Sequence, residues 1–411
     1  MTGYLLDAWL DYLNTTTWSD ILPSALIGIY DEGKYREQQL FERTRYKFKQ
    51  VSGAFTFLLL MGMLFLGGFA WLDAGIREHT SSPILQALIF FGLLGLLSDL
   101  LTTPFDIYDT FFIEQKFGFN TTTAGTYILD KLKGWLIAVI LGGTLLTLII
   151  WIYQVSGQWF WLIAWGIIIF FTVIINYFYT TVILPIFNRL EPLPAGNLRD
   201  AIGSFAEKAG FKLTNVFVID GSKRSTRGNA YFSGFGKQKK IVLYDTLIAE
   251  YSNEELVAIL AHEIGHYQKK HVLKGLIISV LHTGVLLLIL SYLVGNPVLS
   301  QALGAGVPGF HMGLVAFGIL YSPVSTILGL GMNVLSRRQE FEADHYAAVN
   351  YNSSSLQLAL KKLSVKNLSN LTPHPWYVYF NYSHPTLLQR LEALERSKYK
   401  EMDAYEIRCN K

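Results

Sequence analysis

Along much of this chain apolar residues run together rather than alternating with polar ones. Six stretches, 53–72, 84–103, 134–153, 159–185, 272–294 and 311–335, stand out. Each matches the roughly 20 apolar residues needed to cross a bilayer core. Only one carries a Lys or Arg, Lys274 near the start of the fifth. The opening segment, Tyr4 to Leu13, is apolar but short and is interrupted by Asp7 and Asp11. It has no basic leader and no small-residue cleavage site, so it reads as a first span cut short rather than a signal peptide.

Two polar regions interrupt this pattern. In 186–255 a helical period at Leu198 to Ala209 is followed by strand-like runs, Asn215 to Ile219 and Lys240 to Tyr244, around a turn-rich piece. That predicts a small α/β insertion. Residues 339–399 read as helices broken at Thr372 to Pro375, with a last amphipathic helix from Pro385. The expected fold is mainly α, a polytopic membrane bundle enclosing a chamber. Its parts are a cytosolic segment 1–52, four spans in 53–185, the insertion 186–255, a block 256–335 with the helix of His262 and His266 and the last two spans, and a C-terminal helical segment 336–411.

Composition agrees: 51% of residues are hydrophobic and 16% charged, against about a quarter charged in soluble proteins. A net charge of +3 spread over several loops gives no case for nucleic acid. The linkers 73–83, 154–158 and 295–310 carry only Arg77 as a basic residue, so both termini are expected on the cytosolic side. The single cysteine, Cys409, excludes an intrachain disulfide and a cysteine-rich metal knuckle. A metal would need His and carboxylate.

Such a set is present. Glu254 to Lys270 reads EELVAILAHEIGHYQKK with a helical apolar period. On a helix His262 and His266 lie one turn apart and can reach one zinc ion, while Glu263 stands beside them as a general base toward an attacking water. A catalytic zinc needs a third ligand. Glu340 and Asp344 in SRRQEFEADHY share a helix face from which Glu342 points away. Glu340 is the expected ligand and Asp344 the residue that orients a ligand imidazole. His271, His311 and His345 lie off the HExxH face, and His282 reads as a core or cavity histidine. Asp99, inside an apolar stretch, is expected to face a cavity.

HEIGHY and SRRQEFEAD, together with EQKFGFN (Glu114 to Asn120), GSKRSTRGNAYFSGFG (Gly221 to Gly236) and SHPTLLQRLEAL (Ser383 to Leu394), resemble the type I CaaX prenyl endopeptidases. These are integral-membrane gluzincins, and the motifs run in order from Pro23 to Leu394. The resemblance implies a ring of tilted helices around a water-filled chamber, with one Zn²⁺ at its cytosolic end. It implies Glu340 as third ligand, Asn229 and Ala230 on an edge strand that docks substrate, His384 as a catalytic oxyanion group, and Arg390 in support. The implied substrate is a peptide or protein, prenylated or not, met at the lipid bilayer and cut after a lipidated cysteine. The family commonly has seven spans where six are counted here. Short charged loops point to a bacterial inner membrane, with the endoplasmic reticulum the alternative for a eukaryotic source. Competing readings are a general membrane quality-control peptidase and a non-catalytic transporter or chaperone-like protein. An intramembrane protease of the site-2 type needs an Asp in a late span, and the spans after HExxH have none.

Overall fold

The computed structural model describes residues 2–210, 215–233 and 240–396, so Cys409 and the end of the GSKRSTRGNAYFSGFG segment lie outside the described residues. Helix α1 (Thr2–Thr15) precedes α2 (Glu32–Phe65). Asp31 caps α2 by accepting from the Lys34 backbone N–H at 2.8 Å. The helix then carries its charged first half and apolar second half without a break across residue 52, because a helix satisfies its own backbone on both sides of the water–lipid boundary. It stops at Phe65, where Gly67 adopts φ 70° and redirects the chain into α3 (Gly68–His79). The 53–72 stretch is therefore two helices. Ser82 caps α4 (Pro83–Tyr108), with Pro83 in its first turn.

Residues 124–187 make one helical run of 64 residues. Straight, at 1.5 Å per residue, it would be roughly 96 Å long, about three bilayer cores. Gly157, at φ 52° and ψ −126°, folds it back. Helices α5 (Ala124–Ile137) and α6 (Gly143–Ser156) lie before that turn and α7 (Phe160–Phe178) after it, with the Tyr153 and Phe160 rings 5.3 Å apart across it. Two of the six apolar stretches thus belong to one of the five helical runs long and apolar enough to cross a membrane.

The insertion holds β1 (Leu190–Pro192), α8 (Asn197–Lys208), β2 (Asn215–Ile219), β3 (Ala230–Ser233) and β4 (Lys240–Tyr244). Their order is β1-β2-β4-β3, with β2 parallel to β4 and both outer pairs antiparallel, so β3 is an edge. Next come α9 (Asn253–Gln268), α10 (His271–Leu293), α11 (Phe310–Ala347), α12 (Ser353–Lys366), α13 (Pro375–Asn381) and a helical segment 387–396. The compositional boundaries at 255 and 335 fall inside α9 and α11, because each helix passes from one environment into the next.

Protein buries no more than 17% of the most apolar window of any spanning helix. A solid bundle would cover far more. These helices form a thin wall, most of whose apolar surface no protein covers. Polar groups within the wall find partners. Asp99 accepts from Lys131 at 2.8 Å and from the Trp135 indole at 3.1 Å, and His282 meets the Tyr321 hydroxyl at 2.5 Å. His311 lies 2.7 Å from Asp73, which Arg77 clasps through Nε. The main core lies below the wall, where Ile241 and Leu243 of β4 pack against Leu256, Leu260 and Ile264 of α9. That packing fixes α9.

Candidate metal centre

A capping box between Ser252 and Glu255 starts α9. Its apolar face is held by the sheet and α12, which turns His262, Glu263 and His266 toward a cleft of about 510 Å³. At Gly265 the helix crosses α11 so closely that a Cβ would sit 3.1 Å from the Ala343 backbone. This crossing sets Glu340 beside the two imidazoles.

His262 Nε2 and His266 Nε2 are 3.1 Å apart, and Glu340 oxygens lie 3.5 and 3.3 Å from them. The three ligand atoms fall within 4.8 Å of one another. Two atoms bound at about 2.0 to 2.1 Å to a tetrahedral ion are separated by roughly 3.3 Å; the histidine pair and the His266 to Glu340 Oε1 spacing are near that, while His262 is nearer the other Glu340 oxygen, Oε2. Glu340 Oε2 is buried without a hydrogen-bond partner among the described residues. It stands 3.5 Å from His262 Nε2 and 3.6 Å from Arg390 Nη1, which leaves it an acceptor that a metal ion would satisfy.

Protonation states follow from the outer partners. His262 Nδ1 lies 2.9 Å from Asp344 Oδ1, and a carboxylate only accepts, so Nδ1 carries the proton and Nε2 presents its lone pair. Arg390 clasps both Asp344 oxygens, at 2.8 and 2.6 Å, and is 3.6 Å from Glu340 Oε2. On the other side His271 Nε2 faces Glu342 at 3.1 Å and therefore donates to it. His271 Nδ1 is then an acceptor for His266 Nδ1, 3.0 Å away, which again leaves His266 Nε2 free to bind.

This corrects the reading of His271 and Glu342 as lying outside the site. They miss the metal side, but Lys270 at φ 57° turns α10 back on α9 and carries His271 to His266. A left-handed lysine costs about 1 to 2 kcal/mol. A positive-φ residue of this kind is a signal that sequence does not print.

The remaining expected residues gather here too. Glu263 lines the cleft half-buried. Burial raises its carboxyl pKa above the ordinary range, against the pull of His262 and His266. His384 Nε2 is 3.2 Å from Glu340 Oε1 on a largely exposed loop. Asn229 and Ala230 line the opposite wall at the start of β3, where Asn229 Oδ1 accepts from the Ala230 N–H at 2.9 Å. Asp344 sits fully buried behind His262 and Arg390.

A helical membrane wall, an HExxH helix and a carboxylate from a second helix define a membrane metalloprotease. Residues 11–189 match the family model described as the CAAX prenyl protease N-terminal, five membrane helices, and residues 192–398 match that of peptidase family M48. A CAAX prenyl protease 1 homolog of rice is 34% identical over 95% of this chain and 94% of its own length. CAAX prenyl protease 1 of Saccharomyces cerevisiae is 37% identical over 78% and 74%. The crystal structure of S. mikatae Ste24p superposes with a TM-score of 0.90 at 31% identity, covering 96% of each chain. The chain belongs to peptidase family M48, in the branch that carries the CAAX prenyl protease membrane domain. The transporter and chaperone readings are set aside.

Proposed function

We propose that this metalloprotease uses one zinc ion, held by His262, His266 and Glu340, to cut peptide bonds near the C-terminus of prenylated CaaX proteins. The convergence of their ligand atoms to within 4.8 Å of one another carries the reading. Zinc, when bound, lowers the pKa of a coordinated water and polarises the scissile carbonyl. Glu263 takes the proton of the attacking water and delivers it to the leaving nitrogen. His384 and Arg390 donate to the carbonyl oxygen as charge builds on it. Substrate backbone lies along β3 at Asn229 and Ala230 as an added strand. Asp344 keeps His262 in its ligating tautomer. Termini and metal site face the cytosol, the chamber opens to the bilayer, and the membrane is read as a bacterial inner membrane.

The test compares a farnesylated peptide with its unmodified twin, with and without chelator. The prenylated peptide is expected to be cut at least tenfold better, because each isoprenoid CH₂ buried contributes about 0.8 kcal/mol. Equal cleavage of both would favour the quality-control peptidase.

Metal uptake should depend on pH. Burial opposes a charged His262, but the hydrogen bonds to Asp344 and Glu340 outweigh it and hold the metal-free imidazole up at about 9. Below that value binding must displace a proton, so apparent affinity is expected to rise about tenfold per pH unit from 7 toward 9, then level. Competition against a chelator of known affinity at several pH values measures this. A flat profile would contradict it.

A further inference from the structure

The motif EQKFGFN has no part in the metal site. Its backbone is laced to the segment before β3: Thr226 N donates to Phe119 O at 3.0 Å, Thr226 Oγ1 to Gly118 O at 2.9 Å, and Thr121 N to Arg224 O at 3.2 Å. This lacing fixes Arg227. Its guanidinium lies 4.1 Å over the Phe119 ring and donates to Glu114 at 3.2 Å, and Thr246 binds its carbonyl at 3.0 Å. Arg45 of α2 reaches the same place, bonded to Asp109 at 2.5 Å and 3.7 Å from Glu114. Arg227 Nε is buried with no partner among the described residues.

Both guanidiniums line a cleft of about 580 Å³ with mixed polar and apolar walls, in which Glu42 is the single acidic lining residue among the described residues. This cleft shares Leu360, Leu363, His384 and Arg390 with the metal-site cleft, so the two adjoin across these side chains. Arg227 stands two residues before Asn229. With a strand rise of about 3.3 Å per residue, a chain aligned on β3 reaches Arg227 two or three residues beyond the bond held at the metal.

From this we propose that Arg227 and Arg45 form a carboxylate clamp. It binds the free C-terminus of the leaving peptide and sets how far from that terminus the cut falls. The substrate's C-terminal end then runs past Asn229 toward Arg227. The inference rests on the reading of β3 as the docking strand. A fixed guanidinium pair is suited to a carboxylate because it presents donors already oriented.

The experiment uses the full-length protein in detergent and three peptides of one sequence. One ends in a free carboxylate three residues past the cut, one in the amide, and one carries the carboxylate three residues further out. A charge-assisted contact predicts that the first has kcat/KM about tenfold or more above the other two, mainly through KM. Arg227→Gln and, separately, Arg45→Gln are each expected to shrink the acid-to-amide ratio, and Arg227→Lys to keep part of it. An acid-to-amide ratio within twofold of one in the parent overturns the clamp without any variant. A ratio that survives both glutamine substitutions overturns the assignment to these residues. Chelator-sensitive cleavage of the amide peptide tests the protease reading by itself, so failure of the clamp and failure of that reading are told apart.

Discussion

Replacing Glu263 by Gln is expected to lower peptide hydrolysis at least 100-fold while zinc stays bound at parental stoichiometry. General-base catalysis contributes about 10² to 10⁴ in rate, and an amide of the same shape has no basic oxygen to receive a proton. The side chain is not one of the three convergent ligand atoms, so the metal set is intact after the change. Burial already raises its pKa, which brings a carboxyl closer to neutral pH and makes it a better proton acceptor there. The sign follows: the parent rate falls on the acid side as Glu263 protonates, at a pH above that of an ordinary carboxylate, and the residual rate of the Gln variant lacks that limb. Elemental analysis and a peptide assay on the same preparation give both readouts. Near-parental cleavage by Glu263→Gln would sink the assignment.

How much of this was legible in the sequence differs from feature to feature. The pairing of His262 with His266, and of Glu340 with Asp344, was readable because helical spacing is local: residues four apart share a face whatever surrounds them; the crossing at Gly265 that sets Glu340 beside the imidazoles is tertiary. Asn215–Ile219 and Lys240–Tyr244 were readable because alternation and flanking turns are local too, and both are strands. Long helices that change environment were less readable. Composition shifts at 52, 255 and 335, yet the backbone hydrogen bonds of α2, α9 and α11 run through those points. Gly67 and Gly157 break apolar runs that hydropathy treats as continuous or merely close. His271 was hidden because its placement depends on Lys270, a conformation and not a residue type. Asn229, His384 and Arg390 came from family resemblance, since a strand Asn, a loop His and a helix Arg have no local pattern pointing to a metal. Tertiary packing alone brings His384 to Glu340 and Arg390 to Asp344.

Glu340→Gln should fail in the opposite way to Glu263→Gln, losing the metal first and activity as a consequence. In the proposed set Glu340 is the one anionic ligand, and its oxygens lie 3.5 and 3.3 Å from the two imidazole nitrogens. Loss of a residue that merely orients a ligand costs about 10- to 100-fold in affinity, so loss of the ligand charge itself is expected to cost more than 100-fold. Stability supplies a second readout. Without metal, His262 is held protonated by Asp344 and Glu340, and Glu340→Gln removes one of these two anionic partners. The metal-free variant is therefore expected to melt below the metal-free parent. Added zinc should raise the parent's Tm, since a ligand at 100 times its Kd adds about 2.7 kcal/mol, and leave the variant's Tm unmoved. If zinc stabilises Glu340→Gln as much as the parent, Glu340 is not the third ligand, and the convergence of these side chains at the helix crossing needs another explanation.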